Sequence, residues 1–595
     1  MRLDNRYRIH PFALGGSLGL VFFLILFGTN SIRPENIAWL LLPDNQDAIQ
    51  HFVGWEFFRY EPWHFPFGLI TNYGYPVPTS IVYTDSIPIL ALLFKCLSPW
   101  LPENFQYFGL WFVLCFFLQG VFAWALSTCI TKDNLIKACI TLFFLMSPIM
   151  LNRMIEHQAL VAHWVILAAF WLYIRPYQSN SNQLWLALNT LTVLIHAYLS
   201  VIVLTIWAAF MWKQIVIDSL MNRYQAMKWV LITIATLWIA AWVCGYFVVP
   251  LFHIMNAGGY ILNAMNLLAP FMPSSGAFII PDNWSRFIPP FQPQYIEQGD
   301  EGFNYLGIGI LLLCAVCLYT IYRHPLTKKT ITSYLPLLSV CTLLVIYSLS
   351  NNLYIGQHLL FSYALPEKAE AITNMFRASG RLFWPAYYFL MITIFFTLNT
   401  RVKKPLFTSL LIGALVLQAA DLSTKMMALH KRLAITTPTE NVSMWKNVKG
   451  HYSRIVFIPA IRRPDRHIKH FSDFIHYAAK HNMSVNIGYF ARQSHQENVK
   501  ATKISTLEVL HGNLSEDTLY VIPNPDLAFI LKAHLGTKDT ITSIGKNTVL
   551  YRTPIRTNAS VITKKKPCWR QSLIRSHKSL PGLKYSLYFA ARLTI

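Results

Sequence analysis

The chain has 595 residues, 54% of them apolar, 15% aromatic and only 13% charged. That charged share is about half the usual globular one, and mean hydropathy is +0.38. These values exclude a disordered chain, a coiled coil and an ordinary soluble enzyme, and leave an α-helical polytopic membrane protein. Net charge is +23, unevenly placed: from residue 423 onward there are 27 Lys+Arg against 9 Asp+Glu, a net +18, so the first 422 residues carry +5. Such a tail suits anionic membrane lipids, and nothing points to nucleic acid. Eight of the nine cysteines lie in apolar stretches, so neither a disulfide framework nor a zinc site is expected.

A basic head (Arg2, Arg6, Arg8) precedes an apolar run from about Phe12 to Gly28. No small-x-small cleavage site follows, so this run reads as an uncleaved first span with a cytoplasmic N-terminus. Ile87 to Leu97, opened by Pro88 and closed by Ser98-Pro99, is shorter than the ~20 residues a crossing needs and reads as an interfacial helix. Further apolar runs fall at 106–129, 138–152, 159–174, 184–197, 199–212, 228–250, 305–322, 332–349, 383–400 and 405–421. With the first, that makes about eleven transmembrane helices in a membrane domain spanning 1–425.

The connectors support this count. Thr131–Lys137, Arg175-Pro176, Lys213–Lys228, Arg323–Lys329 and Arg401–Lys404 all carry Lys or Arg beside a span, as cytoplasmic connectors should. An extra crossing at 87–97 would reverse every one. The opposite face then holds the long loops 29–105, 251–304 and 350–382 and 14 of the 18 acids of the membrane domain.

Past the last span the chain turns polar. Arg454–Ile458, Val485–Tyr489, Thr518–Ile522 and Thr548–Tyr551 read as short strands, with helices at Phe471–His481 and Leu527–Leu535. A small α/β domain at 440–555 is expected, placed outside by the odd number of spans. A basic tail at 556–595, with Lys564-Lys565-Lys566, follows and suits anionic lipid.

No P-loop, His-Glu-x-x-His or Gly-x-Ser-x-Gly motif is present. The chemistry-bearing segment is the first long loop, Pro43 to Arg59. Asp47, His51 and Trp55 recur every fourth residue there, which puts them on one helical face. A carboxylate and an imidazole one turn apart can take up a proton or hold a divalent cation, Mg or Mn, through oxygen. The bland alternative is a helix N-terminus, with Asp44 as cap and Asp47 favoured by the dipole. Asp85, in Tyr83-Thr84-Asp85-Ser86-Ile87-Pro88, admits the same two readings. Arg377 and Arg381 are one turn apart just before a span and suit either a phosphate or lipid headgroups. Asp300 and Glu301 open a span, where they join the Asp47 cluster or cap the helix. Arg153, Glu156, His157 and His163 sit at a turn on the same side; the His157–His163 spacing is poor for a metal site. Loop aromatics (Trp55, Trp63, Tyr73, Tyr75, Tyr83, Trp284) suit sugar stacking or an interfacial belt.

The layout of basic head, one span, long outer loop with an early Asp, interfacial helix, alternating spans and outer C-terminal domain resembles the C-type (GT-C) membrane glycosyltransferases, which use polyprenyl-phosphate-linked sugars. More closely, four segments resemble a family of uncharacterised bacterial multi-span proteins of that layout: Asp47-x-x-Gln50-His51-x-x-Gly54-Trp55-x-Phe57-Phe58-Arg59, Tyr83-x-Asp85-Ser86-Ile87-Pro88, Glu301-Gly302-Phe303-Asn304-Tyr305-Leu306-Gly307 and Phe376-Arg377-Ala378-Ser379-Gly380-Arg381-x-Phe383-Trp384-Pro385. This resemblance implies a transferase of the bacterial inner (cytoplasmic) membrane, with its C-terminal domain in the periplasm. Asp47 would be its catalytic base or metal partner, supported by Asp85 and His51. Arg377 and Arg381 would hold the departing polyprenyl phosphate, and Glu301, Trp55 and His157 would line the substrate. The Asp-Glu dipeptide of protein mannosyltransferases is absent from the first loop, and the Trp-Trp-Asp motif of oligosaccharyltransferases is absent altogether. A lipid-substrate transporter or flippase and a non-catalytic envelope assembly factor are the alternatives. Ionisable groups gather at one surface rather than near the bilayer midplane where transporters place them, which favours the enzyme.

Overall fold

The computed structural model describes residues 10–42, 46–250, 259–274, 283–289, 300–325, 327–437, 452–460, 471–532, 535–544 and 547–552. The expected Asp44 cap, the loop acids Asp282 and Glu297 and the basic tail 556–595 lie outside them. Each of the apolar runs contains a helix. Among the described residues six helices are long and apolar enough to cross a membrane: Phe108–Ile130, Ala197–Ile217, Arg223–Cys244, Thr330–Ser348, Ser379–Arg401 and Lys404–Leu433. Asn134–Leu145 and Pro148–Glu156 form a bent pair, a broken span or a re-entrant loop, with a 42° bend where Pro148 cannot donate to the preceding turn. Phe12–Phe27, Gln158–Ile174 and Ile308–Arg323 are shorter apolar helices. Pro88–Cys96 is a helix of nine residues, too short to cross.

These helices pack through small residues. The first helix lies against Phe108–Ile130 so closely that a Cβ on Gly15 would fall 2.4 Å from the Gly120 carbonyl oxygen. In lipid, where burying apolar surface gains nothing, such close approach is what drives helix pairing.

Several boundaries differ from expectation. The last membrane helix continues past 421 to Leu433, because Asp421 is fully paired inside the protein. It accepts hydrogen bonds from Tyr305 Oη (2.8 Å), the Ile308 amide (3.1 Å) and Ser285 Oγ, so a buried carboxylate need not end the helix. The apolar run at 305–322 starts its helix only at Ile308, after Gly307 at φ +86°.

The C-terminal part is a five-stranded sheet in the order Ser484–Val485, Arg454–Phe457, Thr518–Ile522, Asn547–Arg552, Asp539–Ile544. The first three strands are parallel and the last two antiparallel to their neighbours. The strand Asp539–Ile544 and the helix His495–Leu510 are additions to the expected elements. This sheet docks on the first long loop. Tyr73 bridges Val485 in parallel, the Val485 amide donates to the Asn72 carbonyl at 2.8 Å, and His476 meets Glu56 at 2.6 Å, both buried. The Phe471–Lys480 helix therefore packs directly on the helix that carries Asp47.

Candidate acid–base site

The Gln46–Tyr60 helix projects Asp47 and His51 from one face. One turn on, Gly54 lets the Asp85 segment press against the helix: a Cβ there would sit 2.4 Å from Thr84 Cβ. Asp85 and Ile87 both hold positive φ, +54° and +53°. For a β-branched residue this costs roughly 1–3 kcal/mol and persists only where surroundings enforce it. Here they do. Ser86 Oγ donates to the His51 carbonyl at 2.6 Å, Tyr107 Oη donates to the Ser86 carbonyl, and Gln50 Nε2 donates to the Tyr83 carbonyl at 3.2 Å. The Ala491 amide of the C-terminal domain donates to that same Tyr83 carbonyl at 2.8 Å.

The strained turn aims Asp85 at two imidazoles. His196 Nδ1 accepts from the Tyr198 amide at 3.1 Å, so Nε2 carries the proton and faces Asp85 Oδ1 at 3.4 Å. His51 Nδ1 donates to Gln158 Oε1, whose own amide nitrogen donates to Ile155 O at 2.8 Å. That leaves the His51 Nε2 lone pair 3.9 Å from Asp85 Oδ2, a gap too wide for a direct hydrogen bond. Burial drives His51 below its ordinary value. Burial alone would raise Asp85, but His196, which presents Nε2–H to it, outweighs burial and holds the carboxyl well below its usual range.

A second line runs through His157. Its Nε2 lies 3.3 Å from Glu301 Oε1 and its Nδ1 3.7 Å from Asp47 Oδ2. Glu301 is gripped by two guanidiniums. Arg153 Nη1 donates to Oε2 at 2.8 Å, and Arg381 binds both oxygens, Nε to Oε2 at 2.6 Å and Nη2 to Oε1. Burial would raise Glu301, but Arg153 and Arg381 reverse the shift and hold it ionised. An ionised Glu301 only accepts, so His157 presents Nε2–H to it. Burial holds His157 far below its ordinary value, hence neutral. The Nδ1 lone pair then turns toward Asp47, and this buried nitrogen has no hydrogen-bond partner. Asp47 itself is pushed from 3.8 up to about 8, first by burial and then by the negative charges of Glu156, Glu301 and Asp85. A carboxyl in that range exchanges its proton near neutral pH, as acid–base catalysis requires.

Exposure sorts the members. Asp47 keeps 24% of its side chain open, against 1% for Arg153 and 6% for Arg381. A molecule arriving from outside meets Asp47; the arginines stand behind it.

Asp47, His51, Asp85, His157, Glu301 and Arg381 thus meet in one cluster. Two expected roles need correction. Arg381 is engaged with both oxygens of Glu301 and lies over Tyr198 (4.7 Å), so its guanidinium sets the charge of Glu301 rather than meeting a ligand. Trp55 is fully buried, with its indole N–H on the Phe105 carbonyl at 3.0 Å and its ring 5.1 Å from Tyr107; it fixes the helix and offers no stacking face. Arg377 lies half-buried just past the Glu367–Met375 helix. His196 and Gln158 were not singled out by sequence. The one sign of His196 was its place at the end of the apolar run 184–197, beside the turn into 199–212. Among the described residues no group of three or more His, Cys, Asp or Glu is placed to hold a metal ion.

Residues 16–423 match a family described as a domain of unknown function, DUF6311, and residues 444–552 match the DUF6311 C-terminal domain. No curated protein matches the chain.

Proposed function

We propose that this chain, which belongs to the DUF6311 family, is a GT-C-like membrane glycosyltransferase. It moves a sugar from a polyprenyl-phosphate carrier to an acceptor hydroxyl on the extracytoplasmic face. The observation that carries the reading is Asp47: a partly open carboxyl poised near neutrality, backed by His157 and Glu301. In its ionised form Asp47 takes the proton of the acceptor hydroxyl. The hydroxyl oxygen bonds the anomeric carbon as the bond from that carbon to the phosphate oxygen breaks, and the polyprenyl phosphate leaves with the electron pair. His157, oriented by Glu301, holds its Nδ1 lone pair toward the protonated Asp47 and eases proton release. Arg377, half-buried and four residues before Arg381, takes the phosphate-binding role.

The topology belongs to the same reading. Eleven crossings, with the N-terminus in the cytoplasm of a bacterial cell and the C-terminal domain in the periplasm, are supported by a helix in each apolar run and by the five basic connectors. Mass spectrometry of lipid extracts from cells lacking the protein tests the reaction class. A polyprenyl-phosphate sugar should accumulate and return to its normal level on restoring the gene. Unchanged carrier lipids in such cells would rule the reading out.

A further inference from the structure

Two residues of the C-terminal domain complete a closed circuit of contacts that passes through the acid–base site. The Glu367–Met375 helix ends just before Arg377, and the last carbonyls of a helix have no partner within it. Here a guanidinium from 117 residues further along the chain supplies one. Arg492 Nη2 donates to the Met375 carbonyl at 2.5 Å and to the Asn374 carbonyl at 3.3 Å, while Nη1 donates to the Ala491 carbonyl at 2.6 Å. The Ala491 amide in turn holds the Tyr83 carbonyl at 2.8 Å, at the start of the turn that carries Asp85. Gln50, on the helix of Asp47 and His51, donates to that same carbonyl.

The rest of the circuit runs through Tyr198. Its amide donates to His196 Nδ1, and His196 Nε2 faces Asp85. Its hydroxyl accepts from the Ala378 amide at 2.8 Å, its ring lies 5.5 Å from that of Phe376, and the Arg381 guanidinium stands 4.7 Å over it. The Asp85 turn and the Phe376–Arg381 segment are therefore tied by two separate routes, one through Tyr198 and one through Ala491 and Arg492.

A helix cap alone accounts for a cation at Met375. It does not account for the neighbouring amide holding the Asp85 turn. A planar guanidinium gripping three carbonyls has little freedom, so it fixes the spacing of the backbones it joins. That spacing matters because a misplacement of ~1 Å at reacting groups can cost a large factor in rate.

We propose that Arg492 is a positioning residue: through it the C-terminal domain sets the distance between the Asp85 turn and the Arg377–Arg381 segment, and so keeps the carrier phosphate within reach of the Asp47 base. The inference rests on the phosphate-binding role given to Arg377 above.

The test compares purified full-length wild type with Arg492→Ala in two arms. The first is hydrogen exchange, which does not depend on any reaction. The Ala378 amide is held by Tyr198 and the Gly380 amide by the Asn263 carbonyl at 2.9 Å. Segments 376–381 and 83–87 should both exchange about tenfold faster in the variant, as local opening becomes easier. No change in either segment, or a change in 376–381 alone, as a simple helix cap would give, overturns the proposal. The second arm is transfer in proteoliposomes with the carrier lipid varied. KM for the carrier should rise about tenfold with kcat within about threefold of wild type, the signature of lost substrate binding. A fall in kcat at unchanged KM, which a loss of folded protein would produce, overturns it. A wild type without transfer would refute the transferase reading, and the exchange arm would still decide the coupling. If Arg492→Ala does not fold, Arg492→Lys decides on the same measurements: it keeps the charge but not the fork, and changes of about threefold or more are expected.

Discussion

Asp47→Asn replaces a carboxyl that the fold holds near neutrality with a neutral side chain of the same shape, and the consequence is readable in stability before any substrate is known. Raising this carboxyl from 3.8 to about 8 disfavours its anion by on the order of 5 kcal/mol, at 1.36 kcal/mol per pH unit. Solvent at a side chain 24% open reduces that to a few kcal/mol. The sign follows from proton counting. Between pH 4 and 8 the folded state keeps a proton that the unfolded state has lost, so stability falls as pH rises. The contribution is complete below about pH 4 and gone above about pH 8. The amide of the variant takes up no such proton. His51 and His157, kept neutral by burial, act in the opposite sense below about pH 6.5, but they are common to both proteins. Thermal unfolding of detergent-purified protein between pH 5.5 and 8.5 should therefore show wild type losing a few degrees relative to Asp47→Asn, at roughly 2 °C per kcal/mol for a large chain. The variant should be the more stable of the two at pH 8.5. Parallel curves across that range would refute the electrostatic account of Asp47.

Glu301→Gln should lower stability by about 3–5 kcal/mol, because it leaves Arg153 and Arg381 buried and unpaired; an unchanged Tm would show that the two guanidiniums do not depend on Glu301. Gly54→Val should force the Thr84–Asp85 segment off the helix and reproduce the defect of Asp85→Asn in complementation; full complementation would mean that the close approach is unimportant. Ala491→Pro removes the amide that holds the Tyr83 carbonyl, so hydrogen exchange of residues 83–87 should quicken about tenfold or more, while an unchanged rate would mean that the C-terminal domain does not brace the turn. A topology reporter fused after Lys404 should report the cytoplasm and one after His451 the outside; the same side for both would contradict the eleven-span reading.

The helices were legible because apolar runs of this length admit little else, and the Pro and basic punctuation between them is local. What escaped was set by distant partners. The extension to Leu433 depends on Tyr305 and Ser285 satisfying Asp421. The helix His495–Leu510 has no sharp apolar face. The strand Asp539–Ile544 is polar at 539, 540, 542 and 543, without an alternating pattern, and forms by pairing with Asn547–Arg552. In the site, Asp47, His51 and Asp85 could be read because acids ahead of helices on a long loop are visible in the chain itself. The union of Arg153, Glu301 and Arg381 joins residues 148 and 80 positions apart, and no local pattern announces it. Trp55 shows the converse: a periodicity that correctly placed it on the helix said nothing of the Phe105 carbonyl that occupies its N–H.

The most direct test of the central claim is release of polyprenyl phosphate in proteoliposomes that contain the purified protein, the sugar-linked carrier lipid recovered from cells lacking it, and an acceptor fraction from the cell envelope. The account predicts release by the wild type that rises with pH toward about 8 and falls by roughly 10² in Asp47→Asn, the scale of losing a general base. No release by the wild type, or equal release by Asp47→Asn, would contradict it.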